Sequence, residues 1–255
     1  MSPNHLLILF FFISASKSIL QIPEIPQFPR NSPQYNQYPF CNTSLRIATR
    51  AKSLISLLTL QEKIQQLPDN ASAIPRLGIP AYEWWSESLH GIATNGPGIN
   101  FNGTMPLATS FPQVIVTAGS FNKTLWSKIG PAVATEARAM YNYSQAGLTF
   151  WAPTINLFGD PRWGRGQESP GELDPMLVSA YAIEYVKSFQ SGKWDGEGGD
   201  DGFVFGEKRA LKGEGDQSDD DEGLTLYACC KHLIAYDLEK WKNFSRYSFN
   251  AVVLN

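Results

Sequence analysis

Apolar residues recur at intervals of three and four positions in several segments, which is the spacing of one face of a helix. The first helix is predicted to begin near Ser44, with a buried face of Leu45, Ala48, Ala51, Leu54 and Ile55. A second should begin at Thr59, because Thr59 and Glu62 form a capping-box pattern, and should end before Pro68. The apolar side of this second helix consists of Leu60, Ile64 and Leu67.

Two longer helices are predicted further along the chain. Asn122 is a candidate N-cap for a helix that runs to about Met140, and Pro131 should kink or divide this helix. The other helix covers residues 175–189. Its predicted inward face consists of Met176, Leu177, Ala180, Ile183 and Val186.

Three segments have strand character, at residues 81–85, 148–157 and 225–232. Because strands alternate with helices, the pattern predicts an α/β fold with a mostly parallel sheet. A doubly wound sheet and a (β/α)8 barrel both fit this order. No Gly-x-Gly-x-x-Gly pattern follows a strand, which disfavours a dinucleotide-binding sheet.

The N-terminus has the features of an export signal. An apolar run at residues 6–13 precedes the small residues 14–16, so we predict a signal peptide over residues 1–18. The run is too short to span a bilayer, and a buried apolar strand is the alternative interpretation. Residues 19–40 are rich in Pro, Gln and Asn and should form an extended arm on the surface, leaving 41–255 as the main domain.

Six Asn-x-Ser/Thr patterns agree with secretion, because such patterns are acceptors for N-glycosylation in exported proteins. They begin at Asn42, Asn70, Asn102, Asn122, Asn142 and Asn243. We therefore predict a secreted, extracellular glycoprotein.

The formal net charge of −3 comes from one segment. Residues 195–223 contain eleven acidic and three basic residues and little apolar content, which predicts a solvated, mobile loop. The rest of the chain is mildly basic but has no cluster of Lys and Arg. Neither nucleic-acid nor membrane binding is expected, since phosphate contacts need such clusters.

The cysteines and histidines do not suggest a metal site. Cys229 and Cys230 are adjacent, and we interpret them as small core side chains on a strand; Cys41 makes the cysteine number odd. The three histidines, His5, His90 and His232, lack zinc-site spacing. No metal or other cofactor is predicted.

Three polar clusters fall where predicted strands end, at residues 84–91, 160–168 and 231–232. In a parallel barrel, this edge of the sheet forms the active site. Indole rings stack on sugars, and carboxylates, Arg and Lys bind pairs of hydroxyl groups through charge-assisted hydrogen bonds. A structural interpretation is open for each cluster: the paired Trp residues fit a core, and Arg162 and Arg165 fit ion pairs with Asp160 and Glu168 that lock a loop.

Four motifs resemble the N-terminal part of plant β-xylosidases and α-arabinofuranosidases of glycoside hydrolase family three. They are Ile-Pro-Arg-Leu-Gly-Ile-Pro-Ala-Tyr-Glu-Trp-Trp-Ser-Glu-Ser-Leu-His-Gly at 74–91, Gln-Ala-Gly-Leu-Thr-Phe-Trp-Ala-Pro at 145–153, Asp-Pro-Arg-Trp-Gly-Arg-Gly-Gln-Glu at 160–168 and Ala-Cys-Cys-Lys-His-Leu-Ile-Ala-Tyr-Asp-Leu-Glu-Lys-Trp at 228–241. The resemblance implies an incomplete (β/α)8 TIM-type barrel and a retaining mechanism with a carboxylate nucleophile and a separate acid/base. It also implies sugar-binding roles for Glu87, Arg165, Lys231, His232 and Trp85.

The family's nucleophile and acid/base motifs are absent from this sequence, so we expect no catalytic residue in the chain and a need for the missing C-terminal part of the enzyme. The expected ligand is a xylo-oligosaccharide or arabinoxylan. A non-catalytic sugar-binding remnant or truncated gene product is the alternative, and a family-three β-glucosidase is disfavoured by Trp84, Trp85 and Glu87. The resemblance also implies that the protein belongs to the cell wall. Two departures from the resemblance flank Arg165: Gly159 replaces the usual Arg, and Leu173 is inserted.

Overall fold

The structure is a computed structural model that describes residues 28–171, 174–193, 224–233 and 236–248. The predicted signal peptide and the acidic loop lie outside the described residues. The helices are α1 Ile47–Leu57, α2 Leu60–Gln65, α3 Val114–Ala118, α4 Lys123–Asn142 and α5 Pro175–Ser191. The strands are β1 Asn70–Ala71, β2 Tyr82–Glu83, β3 Thr149–Phe150, β4 Tyr227–Ala228, β5 Lys240–Trp241 and β6 Phe244–Ser245.

The strands form three short pairs. β1 and β2 are antiparallel, as are β5 and β6, whereas β3 and β4 are parallel, with Phe150 opposite Ala228. An isolated bridge between Thr154 and Lys231 extends the parallel pair. The mixture of helices and strands confirms the predicted α/β class. The expected mostly parallel sheet is not borne out, because two of the three described strand pairs are antiparallel. The regular strands are also much shorter than the predicted 148–157 and 225–232.

The main core lies between α4, α5 and the parallel strands. Tyr181, Tyr185 and Phe189 project from successive turns of α5, and neighbouring rings in this series stack 6.1 and 5.7 Å apart at 10°. Trp126 of α4 meets Tyr181 edge-on, and Phe150 of β3 meets Phe189 in the same way. These rings are nearly inaccessible to solvent, so each contributes roughly 3–5 kcal/mol relative to alanine.

Helix α5 is buried on a different face from the predicted one. Leu177 is buried as expected, but Met176 and Ile183 are exposed, while Tyr181 and Tyr185 are buried. The prediction was wrong for Met176 and Ile183, because it weighted aliphatic residues and did not include the two tyrosines. Burial raises the pKa of Tyr185, and its protonated hydroxyl donates to Ser88 O at 2.8 Å.

The two predicted caps are confirmed. Thr59 and Glu62 form a reciprocal capping box at α2, and the Asn122 side chain accepts from Leu125 N at the start of α4. Pro131 does not divide α4, which continues through it to Asn142.

A second, smaller cluster forms around the segment predicted to be an extended arm. The described part of that segment is instead compact, with short 3-10 turns at Pro29–Asn31 and Pro39–Cys41. Phe40 is buried beside Leu77, and the Tyr35 hydroxyl donates to Pro75 O at 3.0 Å. The prediction failed because the prolines start turns here and the aromatic residues between them bind this apolar cluster.

Helix α1 packs against that cluster through Leu54 and Leu57, whereas no apolar residue of α2 belongs to it. Leu54 is partly buried, but Ile55, Leu60, Ile64 and Leu67 of the predicted apolar faces are exposed. Cys229 and Cys230 are exposed as well, which corrects their assignment to the core. Ile55, the predicted apolar side of α2 and the cysteine pair are thus exposed because no other described segment packs against them.

Gly130 allows α4 and α5 to approach each other closely. A Cβ atom at this position would lie 2.2 Å from Ser188 Oγ and 2.8 Å from the backbone nitrogen of Phe189. The second contact cannot be relieved by a side-chain rotation, so the helices would have to separate.

We therefore predict that Gly130→Ala lowers the free energy of unfolding by about 1–3 kcal/mol, although Ala is the better helix former. Gly164→Ala is the control, because a Cβ there meets no atom within 4 Å, and its effect should stay within about 0.5 kcal/mol. Denaturant unfolding measures both variants. Equal midpoints would contradict the close helix contact.

Candidate functional site

The centre of the site is an ion pair between residues 144 positions apart. Lys231 Nζ donates to Glu87 Oε1 at 3.0 Å and to Oε2 at 2.8 Å. Both residues are buried, with exposures of 7% and 8%. Trp85 Nε1 donates to Glu87 Oε1 at 3.0 Å, so three hydrogen bonds hold the carboxylate. Three predicted residues, Glu87, Lys231 and Trp85, therefore lie in direct contact.

Backbone hydrogen bonds fix the position of Glu87. Ser86 O accepts from Trp151 N at 2.7 Å, which ties this loop to the end of β3. Glu87 O accepts from Ala93 N at 3.0 Å and closes the loop on itself. The turn passes through Gly91, whose φ of 126° favours glycine. A Cβ atom at Gly91 would lie 2.2 Å from Thr109 O, so a larger residue does not fit this turn.

Lys231 lies at the end of the parallel strand pair. Its backbone nitrogen donates to Pro153 O at 3.0 Å, and its carbonyl accepts from Ile155 N at 2.6 Å. The peptide bond between Lys231 and His232 is cis, and a regular strand does not run through both residues. Two successive residues of a regular strand point to opposite faces, so Lys231 and His232 can reach one side only where the strand ends.

An indole pair borders the ion pair. Trp85 and Trp151 stack with centroids 5.5 Å apart and an interplanar angle of 18°, and both are half-buried. Trp84 turns away and packs edge-on against Tyr82, with 44% of its surface exposed. The paired Trp residues therefore face different surroundings. Trp151 was missed in the sequence, where it looked like a core strand residue.

The 160–168 loop contains the ion pairs that the structural interpretation proposed. Arg162 Nε donates to Asp160 Oδ1 at 2.9 Å, and Arg165 binds Glu168 through two nitrogens at 2.6 and 3.0 Å. The hydrogen bond with Glu168 is the main cause of the raised pKa of Arg165, and the negative charge of Glu87 adds a smaller contribution. Arg165 is thus in the field of Glu87 while bonded to Glu168.

His232 is held by Asn156 and two aromatic rings. Its Nδ1 lies 3.1 Å from Asn156 Oδ1, and its ring meets Tyr236 at 4.5 Å and Trp163 at 6.2 Å. Burial lowers the pKa of His232 to about 4, with further lowering by Arg165 and Lys231. The imidazole is therefore neutral above about pH 5; Nδ1 donates to Asn156 and Nε2 is an acceptor.

His90 belongs to a different part of the loop. Its Nδ1 pairs with Phe111 O at 2.9 Å, and Phe111 N donates back to His90 O at 2.8 Å. His90 therefore ties the turn at Gly91 to residues 109–111, which is a structural role.

The two sequence departures near Arg165 have different outcomes. Leu173 lies outside the described residues. A Cβ atom at Gly159 would lie 3.4 Å from Asp237 Oδ2 and 3.8 Å from Oδ1, and Asp237 Oδ1 is buried without a hydrogen-bond partner among the described residues. The glycine thus removes a side chain from the position that faces this carboxylate.

Asn156 and Tyr236 are further residues that sequence reasoning missed. Asn156 binds both His232 and, through Nδ2, Tyr236 O at 3.3 Å. An amide at the end of an otherwise apolar predicted strand was an available signal. Tyr236 lies inside the 228–241 motif, but it was assigned no role there, because only the fold brings its ring between Arg165 and His232.

The described residues contain neither a metal-ligand cluster nor a membrane-spanning helix. Over residues 28–171, 174–193, 224–233 and 236–248, no three His, Cys, Asp or Glu side chains group as metal ligands do. In the same part of the chain, every helix is too short or too polar to cross a bilayer.

A parallel strand pair backed by two helices, with a carboxylate, cations and indoles at the strand ends, defines an α/β domain with a site suited to polyhydroxyl ligands. The family model for the glycosyl hydrolase family 3 N terminal domain matches residues 51–237. The chain belongs to this family.

The similar proteins are much longer than this chain. The chain is 57% identical over 246 residues to the probable beta-D-xylosidase 6 of Arabidopsis thaliana, covering 96% of this chain and 30% of the relative. It is 50% identical over 222 residues to the beta-xylosidase/alpha-L-arabinofuranosidase 2 of Medicago sativa subsp. varia, covering 87% and 26%.

A solved structure shares the fold. It is a GH3 exo-beta-xylosidase (XlnD) in complex with a xylobiose aziridine activity based probe, with a TM-score of 0.68 and 35% identity. The match covers 84% of this chain and 24% of that one. The family and the xylosidase resemblance drawn from the sequence motifs are confirmed.

We predict that Gly159→Ser raises the free energy of unfolding by about 1 kcal/mol relative to Gly159→Ala. Both substitutions restrict the unfolded chain in a similar way, so the difference isolates a hydroxyl that can donate to Asp237. Urea unfolding of the two variants gives the comparison. If serine is no more stabilising than alanine, the Asp237 carboxylate does not need this donor.

Proposed function

We propose that this chain is the sugar-binding part of a retaining exo-acting β-xylosidase, built on an incomplete (β/α)8 barrel, that takes terminal β-D-xylosyl or α-L-arabinofuranosyl units of xylan or arabinoxylan. The observation that carries the proposal is the buried Glu87–Lys231 pair beside Trp85 at the end of a parallel strand pair. The family membership and the names of the relatives support it.

The charges of the site suit a pair of neighbouring sugar hydroxyls. Glu87 accepts and Lys231 donates, and Lys231 uses two of its three ammonium protons on Glu87, which leaves one for a hydroxyl oxygen. The neutral Nε2 of His232 accepts from a further hydroxyl, and Arg165 donates. Trp85 stacks on Trp151, and with Glu87 it is expected to crowd the space that the hydroxymethyl group of glucose would fill.

The chain by itself should bind sugar without hydrolysing a glycoside. Retaining hydrolysis needs two carboxylates about 5–5.5 Å apart, one as nucleophile and one as acid/base. Glu87 is occupied by Lys231 and Trp85, and Glu168 by Arg165. We infer that both reacting carboxylates come from the C-terminal part of a longer protein, which is the expected partner.

We also propose export to the cell wall with N-linked glycans. The apolar segment at 6–13 supports a signal peptide. All six acceptor asparagines are solvent-exposed, as glycan attachment requires. They are Asn42, Asn70, Asn102, Asn122, Asn142 and Asn243.

The sugar site is tested by Glu87→Gln, which keeps the shape of the side chain and removes its charge. We expect xylose affinity, followed by tryptophan fluorescence, to fall at least about 10-fold, because the charge-assisted hydrogen bonds are lost. Glu87→Asp should reduce the preference for xylose over glucose, by an amount within the roughly 10–200-fold range of steric discrimination.

Glu62→Gln is the matched control, since Glu62 lies in the first turn of α2, forms an ion pair with Arg76 and should leave xylose affinity unchanged. An aryl xyloside assay of the unmodified chain completes the test. Turnover well above blank would contradict the assignment of the reacting carboxylates to another segment. Binding without turnover is expected both of the sugar-binding part of the enzyme and of a non-catalytic sugar-binding remnant. Adding the missing C-terminal part then decides, because only the enzyme recovers activity.

Export is tested by expression in plant cells. We expect loss of the first 15–25 residues, as is typical of signal peptides. Enzymatic removal of N-glycans should lower the mass of the secreted chain, and replacing each acceptor Asn by Gln should remove one glycan step at a time. A cytosolic product that retains Met1 would refute the proposed localisation.

A further inference from the structure

Tyr236 contacts both Arg165 and His232. Its ring meets His232 edge-on at 4.5 Å and Trp163 at 5.6 Å. The guanidinium groups of Arg165 and Arg246 lie 5.7 and 5.6 Å from the centre of the same ring. One aromatic side chain therefore contacts an imidazole and two guanidinium cations, which are favourable partners for a π face.

The Tyr236 hydroxyl uses its full hydrogen-bonding capacity. It donates to Glu239 Oε2 and accepts from Arg246 Nη1 at 2.8 Å and Arg165 Nη1 at 3.4 Å. A phenol has one proton and two acceptor lone pairs, so all three are engaged. Loss of the oxygen alone would leave both guanidinium groups without this acceptor while the ring contacts persisted.

The backbone of Tyr236 is fixed to the same network. Asn156 Nδ2 donates to Tyr236 O at 3.3 Å, and Asn156 Oδ1 accepts from His232 N at 3.3 Å and lies 3.1 Å from its Nδ1. Asn156 thus sets the spacing between His232 and Tyr236.

We propose that Tyr236 is a positioning residue that holds Arg165 and His232 in one arrangement for ligand binding. This inference rests on the proposed sugar-binding function for the identity of the ligand. Tyr236 acts through Arg165 and His232 and need not touch the sugar. A role in packing alone is the competing explanation, and the ring and the hydroxyl can be tested separately.

His232 provides the readout. Its ring contacts Trp163, Tyr236 and Asn156. Burial and, to a smaller extent, the positive charges of Arg165, Lys231 and Arg246 lower the pKa of His232 to about 4. The negative charge of Glu168 acts in the opposite direction. If the hydroxyl holds Arg165 and Arg246 close, its removal lets both cations move away. The imidazolium then becomes less unfavourable, and the pKa of His232 rises towards its ordinary value.

The test is an NMR pH titration of the imidazoles in the full chain carrying Tyr236→Phe. The chain has only three histidines, so His232→Asn assigns the resonance. We expect a higher His232 titration midpoint and a loss of xylose affinity of about 10-fold. Tyr236→Leu, which also removes the burying ring, should raise the midpoint further.

Tyr247→Phe is the matched control. The Tyr247 hydroxyl also accepts from Arg246, at 2.7 Å, but this residue is largely exposed and contacts neither Arg165 nor His232 in the structure. The control should leave both the titration and the xylose affinity unchanged.

The outcomes separate the two hypotheses. An unchanged His232 midpoint in Tyr236→Phe overturns the positioning role, whether or not the chain binds xylose. Failure of the unmodified chain to bind xylose contradicts the proposed function, while the titration still decides the role of Tyr236. Loss of the cooperative thermal transition in Tyr236→Phe would also overturn the proposal, because the hydroxyl would then be needed for folding itself.

Discussion

The ion pair between Glu87 and Lys231 is the constraint on which the arrangement of the site depends. Two charges removed from water are stabilised only when they are paired with good geometry and further hydrogen bonds. Trp85 supplies one such bond, and the loop around Glu87 is closed by backbone bonds to Ala93 and Trp151. Because Lys231 follows the last strand of the parallel pair, the ion pair also fixes the end of these strands against that loop.

Helices α4 and α5 connect the loop that carries Glu87 to the main core. Tyr185 of α5 donates to Ser88 O, one residue after Glu87, so the aromatic series along α5 is bonded directly to the loop that carries the carboxylate. Gly130 lets α4 lie close against the same helix. Large buried rings thus provide rigidity where the sheet is only two residues long on each strand.

The sequence predicted local features better than packing. Capping at Thr59 and Asn122 and the ion pairs of Arg162 and Arg165 depend on residues within three positions, and these were correct. The buried face of α5 and the partners of α1 and α2 depend on distant segments, and these were wrong. At the site, the residue types of Glu87, Lys231 and Trp85 were informative, but Tyr236 was not, since its importance arises from contacts with Arg165, Trp163 and Arg246.

The division of the site into two groups has a physical reason. One carboxylate cannot satisfy every cation of the site, so Glu87 pairs with Lys231 while Arg165 takes Glu168, and each cation keeps a local counter-charge. If only loops joined them, the Glu87–Lys231 and Arg165–Glu168 pairs could change their relative position. Tyr236 provides a neutral connection, because its hydroxyl accepts from Arg165 and its ring supports His232, which follows Lys231 directly. A neutral link of this kind couples the groups without adding a charge that would compete for Glu87 or Lys231.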